Sequence, residues 1–504
     1  MYPILANKPH PLHDVPATRR IESYASSKLA PHTLMQSAGS ATARLARAVA
    51  PHARVVWIAC GPGNNGGDGL EAATQLKIAG LRAVATWMGN ENSCSADTLW
   101  ALHRARNTGV EFSSDAPPDM TGNDLCIDAL LGIGLTHGPD SSASFGRFFA
   151  QLRNSPAPTL ALDIASGLNA DTGNFAINLT ARKTDEKRAR TDFYAQFTLS
   201  LLTLKPGLFT ASGRDASGQI WFDDLGVDNS VEAPTCWLSG PPALEPRAHY
   251  SHKGNYGDVA VVGGESLSRR GMGMSGAPLL AASAALHGGA GRVLVSLLDH
   301  NPQSIYDSQP ELMFRQFDAL RLHTLVIVCG CGGGEAIGDV LASVLQQSKK
   351  LVLDADALNA IANNGAFQSM LVARRATGLV TVLTPHPLEA ARLLGTNTKA
   401  IQAHRLLAAQ RMADVFHCVV ALKGSGTVIA MPGRVPAVNP TGNARLATAG
   451  TGDVLAGMIG AALASGIGAF KATSEAVYRH GLMADLWPSV PLVASALAKQ
   501  ALMR

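Results

Sequence analysis

Charge is scarce in this sequence. Only 16% of its 504 residues are acidic or basic, and the net charge is +4. No block of like charge stands out, which argues against a nucleic-acid-binding arm, although the small basic excess suits an anionic ligand. The seven cysteines show no metal-ligand spacing, and Cys329 and Cys331 sit two apart in a glycine loop. That pattern predicts reduced thiols and a cytoplasmic protein rather than a disulfide framework. A basic stretch followed by an apolar one is missing from Met1-Tyr-Pro-Ile-Leu-Ala6, so no signal peptide is expected. Long apolar runs are also few. The longest, Val454 to Phe470, is rich in Gly and Ala and reads as a buried helix, not a membrane span.

What is abundant is apolar residues, 46% of the chain, and glycine, 50 residues clustered in short loops. The first can fill a sizeable core, and the second lets backbone amides approach a ligand closely. The length fits two large domains or three to four small ones at about 100–200 residues each. Short apolar runs alternate with helical stretches, which indicates parallel α/β sheets. In the first half, Val55–Ala59, Leu125–Asp128 and Thr159–Asp163 read as strands and Gly69–Ala79 as a helix. In the second half, Asp258–Val262, Arg292–Leu298, Thr324–Cys329, Leu351–Leu353 and Val380–Leu383 read as strands, with a helix at Ala277–His287. Pro234, Pro241, Pro242 and Pro246 crowd the segment between the halves, which predicts domains at 1–230 and 245–504 joined by a linker at 231–244. The halves show no repeat of one another. Ala181–Asp192 is dense in mixed charge and reads as a solvated face in preference to a partner site.

Three loops of the first half follow strands. Cys60-Gly-Pro-Gly-Asn-Asn-Gly-Gly-Asp-Gly69 contains Gly61, Gly63 and Gly66 in a GxGxxG pattern that opens a helix, where free N–H groups meet an anion. A Rossmann dinucleotide loop would be followed by an acidic residue about twenty positions on, and Glu91 is a poor fit. A glycine turn without a ligand is the simpler reading of that loop alone. The second loop runs from Asp128 through Gly132, Gly134 and Gly138, and the third is Asp163-Ile-Ala-Ser-Gly167. Asp163 alone could be only a helix cap. Three such loops on one sheet favour a ligand site at the carboxyl ends of the strands.

In the second half, Gly450-Thr-Gly-Asp453 opens a small-residue helix, so amides and the helix dipole converge on one point. That arrangement suits a transferring phosphoryl group, and Asp453 is placed to take a proton from a hydroxyl nucleophile. The plainer reading makes Asp453 an ordinary acid of a helix N-terminus. Lys423-Gly-Ser-Gly-Thr427 lies between two short strands and offers charge and amides to phosphates in an order unlike a Walker A loop.

Leu34-Met-Gln-Ser-Ala-Gly39, Gly63–Gly69, Asp128–Gly134, Asp163–Gly167 and Leu204-Lys-Pro-Gly-Leu-Phe209 resemble the NAD(P)H-hydrate epimerase (YjeF N-terminal) family. That resemblance implies substrate loops at Asn64, Asn65, Gly66, Gly67, Asp68 and at Gly132, Ile133, Gly134, Leu135, Thr136, His137, Gly138. It also implies a potassium ion on Asn65, Asp128 and Ser166, and Asp163 on the substrate as the catalytic acid–base. The chain differs from the family pattern at Ala165 and Asn169, where Pro and Asp are usual.

The second half, through Gly450–Asp453, Lys423–Thr427, His252–Gly257, Leu353–Leu358 and Thr384-Pro-His-Pro387, resembles the ADP/ATP-dependent NAD(P)H-hydrate dehydratases. The implied fold class is α/β in two domains, a Rossmann-like parallel sheet followed by a ribokinase-like α/β/α sandwich. Ala277, Gly332, His386 and Asp453 are then expected on the hydrated cofactor, with Asp453 as catalytic base. Lys423, Gly424, Ser425, Gly426, Thr427 and Gly452 are expected on ADP or ATP, which would arrive with magnesium. Departures stand at Leu388, Cys331 and Ala449, where Gly, Pro and Gly are common. His386 taken alone reads as a satisfied polar contact more readily than as a catalyst.

The expected function is repair of hydrated NADH and NADPH, by epimerisation and then nucleotide-dependent dehydration to NAD(P)H. The expected partners are small molecules, with no nucleic acid or membrane and with homo-oligomerisation open. Two other readings remain: a small-molecule kinase that releases its phosphoester, and a first half that only binds a nucleotide or partner.

Overall fold

The protein is described by a computed structural model covering residues 1–134, 142–175, 195–243, 248–298 and 309–501. Leu135, Thr136, His137 and Gly138, the charged 181–192 segment and Leu244 at the end of the expected linker lie outside the described residues. The chain divides into two compact units: Met1–Leu5 with Pro11–Cys236, and Ala6–His10 with Trp237–Arg504. Among the described residues no helix is long and apolar enough to cross a membrane.

The strands, in chain order, begin with β1 (Tyr2–Pro3), β2 (His10–Leu12), β3 (Val55–Cys60), β4 (Arg82–Trp87) and β5 (Glu111–Phe112). Then come β6 (Leu125–Ala129), β7 (Thr159–Leu162), β8 (Phe197–Leu201) and β9 (Gln219–Asp223). The first unit is built on an eight-stranded sheet ordered β1-β9-β8-β7-β6-β3-β4-β5. All its pairs are parallel except β1 with β9. β3 and β6 are wholly buried and, apart from Asp128, apolar, as strands covered on both faces must be. From β3 the chain winds outward through β4 and β5, then returns to β6 on the other side. β3 and β6 therefore flank the point where strand order reverses, and the crevice at their carboxyl ends is the expected ligand position.

The second unit has β10 (Cys236–Leu238), β11 (Asp258–Glu265), β12 (Arg292–Leu298), β13 (Met313–Phe314) and β14 (Val326–Cys329). It continues with β15 (Lys350–Leu353), β16 (Val380–Leu383), β17 (Val419–Leu422), β18 (Val428–Met431) and β19 (Arg434–Val438). The sheet order is β13-β12-β11-β14-β15-β16-β17-β18-β19-β10-β2. The reversal falls between β11 and β14. The end of β11 is stitched there to the loop after β14, with Gly264 N–H donating to Cys331 O at 3.1 Å and Glu265 N–H to Gly332 O at 2.7 Å. The apolar run that starts at Val454 is a buried helix, Thr451–Ala464. Its small residues have a packing reason: a Cβ on Gly457 would fall 2.0 Å from Ala281 O of the helix Gly276–His287.

Two local expectations are corrected. The helix expected from Gly69 starts at Asn64 and runs to Ile78, so Asn64–Asp68 form its first turn and not a loop. Close packing overrides the poor helix propensity of glycine here: a Cβ on Gly66 would lie 1.9 Å from Gly61 O, and one on Gly69 2.6 Å from Ala129 Cβ. The segment read as linker contains β10, paired parallel to β19 through Trp237 with Ala437 and Leu238 with Val438. Its crowded prolines flank that strand and hid it.

Candidate active sites

In the first unit, the ends of β3, β6 and β7 converge. Gly63 is extended and starts the helix, which exposes the N–H groups of its first turn. Asn65 sits on that turn against the β6 loop, where a Cβ on Gly132 would lie 3.2 Å from Asn65 Cγ. Asp128 is fully buried in β6. Its carboxylate accepts from Ser166 N–H at 2.9 Å, Ser166 Oγ at 2.6 Å and Leu130 N–H at 3.2 Å. Burial raises it to about 6 against the opposing effect of the Ser166 hydrogen bonds. The Asn65 Nδ2 is buried without a hydrogen-bond partner among the described residues. Asp128 and Ser166 are thus bonded to each other, Ser166 Oγ also accepts from Leu131 N–H at 2.8 Å, and Asn65 lies against the next residue, Gly132, with one polar atom orphaned. The two ends of the amide exchange on a half-turn, which would put Oδ1 in the orphaned position, so the donor types fit a hard cation.

Asp163 follows β7 with φ of +67°, a backbone conformation that a side chain other than glycine's adopts only under constraint. Its N–H donates to Leu199 O at 2.7 Å, and its Oδ1 accepts from the Lys205 ammonium. The same ammonium donates to Leu201 O at 2.7 Å and contacts Ser200 Oγ at 3.5 Å. Leu201 N–H adds a bond to Asp163 Oδ1 at 3.3 Å. Lys205 lies in the quoted Leu204–Phe209 stretch, yet sequence reasoning gave it no role. Its signal was a lysine between Leu204 and Pro206 in a segment otherwise apolar, and it is one of the largest fully buried side chains. Burial first, then the charges of Asp163, Glu22 and Asp97, push Asp68 well above the carboxylate range. Burial raises Glu22 in the same way, against the pull of Arg19. This corner therefore holds protonatable carboxyls beside a carboxylate paired to a lysine. Asn64 accepts from Ser95 Oγ at 2.5 Å, which ties the first turn of its helix to the next helix, Ala96–Asn107.

In the second unit, Gly450 begins the helix Thr451–Ala464 with φ of +88°, and Asp453 stands in the first turn. The Cys331 thiol and the carboxylates of Asp354 and Asp453 lie within 4.8 Å of one another. Lys423 Nζ donates to Asp354 Oδ1 at 2.7 Å, and a Cβ on Gly452 would come 3.2 Å from that nitrogen. Burial first, then Asp354, raises Asp453 to about 7, partly opposed by Cys331 and Lys423. A carboxylate so placed is half-ionised near neutrality, as a general base needs. Behind it His480 Nε2 meets Thr451 O at 2.9 Å, and burial lowers that imidazole to about 4.

Gly332 and Ala277 are brought together: a Cβ on Gly332 would lie 2.9 Å from Ala277 Cβ. Gly330, Gly332 and Gly334 all have positive φ, which the loop after β14 requires. His386 caps the helix Pro387–Leu393: Nδ1 accepts from Leu388 N–H at 3.1 Å, and Nε2 meets Glu389 Oε1 at 3.1 Å. Gly424 and Gly426 have φ of +133° and +64°, and Thr427 Oγ donates to Gly424 O at 3.3 Å.

Residues 31–207 match the family described as YjeF-related protein N-terminus, and 260–503 match the NAD(P)H-hydrate dehydratase family. The bifunctional NAD(P)H-hydrate repair enzyme of Escherichia coli K12 is 33% identical over 478 residues, covering 90% of this chain and 85% of its own. The chain belongs to the bifunctional NAD(P)H-hydrate repair enzymes. Its second half is also 42% identical over 256 residues to the ADP-dependent (S)-NAD(P)H-hydrate dehydratase of Neisseria meningitidis, covering 49% of this chain and 83% of that protein. Among solved structures, an ADP/ATP-dependent NAD(P)H-hydrate dehydratase from Bacillus subtilis, co-crystallised with ATP and magnesium, is 29% identical. It covers 51% of this chain and 92% of its own, with a TM-score of 0.42. Of the two sites, the one in the first unit falls within the YjeF match and the one in the second within the dehydratase match.

Proposed function

We propose that the first unit interconverts the epimers of hydrated NADH and NADPH, and that the second dehydrates the S form using ADP or ATP. The observation that carries the reading is Asp453. It lies in the first turn of a helix opened by Gly450-Thr451-Gly452 and is raised to about 7, while the Lys423 ammonium of its cluster bonds Asp354.

The substrate is a hemiaminal at carbon 6 of the nicotinamide ring, and hydroxide is a poor leaving group. Asp453 takes the proton of the carbon-6 hydroxyl as that oxygen attacks the terminal phosphorus of the magnesium–nucleotide substrate. The bridging P–O bond breaks, and AMP or ADP leaves. The carbon-6 oxygen then departs as phosphate, pushed by the ring nitrogen, and loss of a carbon-5 proton restores the dihydropyridine. Amides at the head of the helix and of Lys423–Thr427 would hold the phosphates, with magnesium neutralising their charge. Ala277, Gly332 and His386 would line the hydrated ring. His386 remains a helix cap while doing so, since its Nδ1 is committed to backbone.

In the first unit Asp163 would move the proton at the same carbon-6 oxygen, with Asn64–Asp68 and Gly132–Gly138 gripping the substrate. Potassium on Asn65, Asp128 and Ser166 would supply fixed positive charge. The small-molecule kinase is the second reading. Its second site would be the same, but it gives the first unit's carboxylates no work. The test is turnover of racemic hydrated NADH with ADP or ATP and magnesium, followed by absorbance of the product. Asp453→Asn should lower turnover by ~10²–10⁴-fold while leaving nucleotide affinity near wild type. Turnover within a few-fold of wild type would remove Asp453 as the base, and a stable phosphoester product would favour the kinase.

A further inference from the structure

The loop Lys423–Thr427 is fastened from behind by a residue that belongs to none of the motifs. Arg405 opens the helix Arg405–Phe416 and is buried. Its Nη2 donates to three backbone carbonyls, Leu422 O at 3.2 Å, Lys423 O at 3.2 Å and Gly426 O at 3.4 Å. Its Nη1 donates to Gln402 Oε1 at 2.7 Å. The contact is direct: a Cβ on Gly424 would fall 2.8 Å from Arg405 Nη1.

In a trans peptide the N–H points opposite to the C=O. Drawing the carbonyls of Lys423 and Gly426 toward the guanidinium therefore turns the N–H groups of Gly424 and Thr427 away from it. The N–H of Lys423 is already given to Pro385 O at 2.9 Å. The Gly424 and Thr427 amides thus face the side opposite Arg405, in the loop that carries Lys423. Two amides turned the same way from one short loop that also carries a lysine can serve as part of an anion-binding concavity. The positive φ of Gly424 and Gly426 is what allows the chain to turn its carbonyls inward here. A planar fork with several donors can span three carbonyls, whereas a lysine ammonium on a flexible stem cannot hold the same plane. Burying a guanidinium is costly compared with apolar packing, so its presence calls for a reason beyond filling space.

We propose that Arg405 is a positioning residue for the nucleotide. By gripping the carbonyl side of Lys423–Thr427 it presents the amide side to the polyphosphate of ADP or ATP. The inference rests on reading that loop as the nucleotide loop. Arg405 itself touches neither nucleotide nor hydrate.

The test uses the full chain with Arg405→Met, Arg405→Lys and Gln402→Ala. Calorimetry with ADP and ATP in magnesium gives nucleotide affinity, and steady-state kinetics vary nucleotide and hydrate separately. Losing a charged donor shared by three carbonyls should weaken nucleotide affinity about tenfold or more and raise the nucleotide KM in parallel. The KM for the S hydrate and the kcat at saturating nucleotide should stay within about threefold. Arg405→Lys should fall between wild type and Arg405→Met. Gln402→Ala, which only loosens the guanidinium, should shift the nucleotide KM in the same direction by less and keeps the test open if Arg405→Met does not fold. Unchanged nucleotide affinity in folded Arg405→Met, or equal losses for both substrates, would overturn the proposal. Wild-type protein that binds neither ADP nor ATP would instead overturn the reading of the loop on which it rests.

Discussion

Removal of the Lys205 ammonium is the sharpest perturbation the first unit offers. The side chain is 1% exposed and that of Asp163 13%, so the pair is shielded from solvent and salt. Lys205→Met keeps most of the stem's volume but strips Asp163 of its charged partner. The carboxylate then retains the Leu201 N–H at 3.3 Å while its backbone stays at φ of +67°. Breaking a buried pair from one side costs about 3–5 kcal/mol, because the surviving charge is left uncompensated. Asp163→Asn alone should also destabilise, since the acceptors it leaves around a buried ammonium, an amide oxygen with Leu201 O and Ser200 Oγ, carry no negative charge. The double variant removes both charges. It should recover roughly 2 kcal/mol or more of the summed single losses, as expected for groups in direct contact. The assay is denaturant unfolding of the four chains, with hydrogen exchange of β6 and β7 peptides assigning the transition to the first unit, since a two-unit chain need not unfold in one step. Losses that add within about 0.5 kcal/mol, or a Lys205→Met protein as stable as wild type, would refute the coupling. The functional arm is separate: Lys205→Met should depress epimer exchange while turnover of pure S hydrate persists.

Three further outcomes follow from the same geometry. Asp163→Asn should abolish catalysed exchange of the hydrate epimers, followed by NMR, and spare dehydration of the S form; normal exchange would exclude Asp163 as the essential base. Asp453 must be ionised to act, and because it is raised to about 7 the kcat/KM of dehydration should fall as pH drops below about 7, well above where an ordinary aspartate titrates; a flat profile down to pH 5 would contradict that assignment. Asp128 is raised to about 6, so its protonated form contributes stability at low pH that is lost as pH rises through about 6. Potassium should therefore raise the melting temperature of the first unit more at pH 7.5 than at pH 5, and Asp128→Asn should remove the difference; an equal effect of potassium at both pH values would count against the site.

The alternation of apolar runs and helical stretches made both sheets readable, because strands buried on two faces are nearly continuous runs of Val, Ile, Leu and Ala. The acids at their ends were readable for the same reason: Asp128 closes the β6 run and Asp163 follows β7. Lys205 and Arg405 were not. Lys205 meets Asp163 across 42 residues, and Arg405 meets Leu422 across 17, through contacts that exist only once strands and loops are in register. The start of the helix at Asn64 was hidden by three glycines in its first six residues, whose low propensity is outweighed by the close approaches at Gly66 and Gly69. His386 was expected both on the hydrated ring and as a satisfied polar contact. Its ring is a helix cap, and Nε2 faces Glu389.

The two sites place the same kinds of charge differently, and the difference matches the chemistry asked of each. In the first unit the ammonium of Lys205 sits directly on Asp163, the group read as the base. Epimerisation needs a proton carried to and from one oxygen, and a carboxylate held in place by a lysine beside protonatable Asp68 and Glu22 can pass it either way. In the second unit the ammonium of Lys423 sits on Asp354, one carboxylate away from Asp453. Asp453 is thereby left with burial and a like charge as its main influences, which raise it to about 7. A base in a phosphoryl transfer must accept a proton firmly as the nucleophile forms, and a raised carboxylate does so better than one neutralised by direct contact. Moving a lysine onto Asp453 would lower its proton affinity and weaken it as a base. Moving Lys205 off Asp163 would leave a strained, buried carboxylate with no counter-charge. On the proposed roles of Asp163 and Asp453, exchanging the two arrangements should therefore slow both reactions.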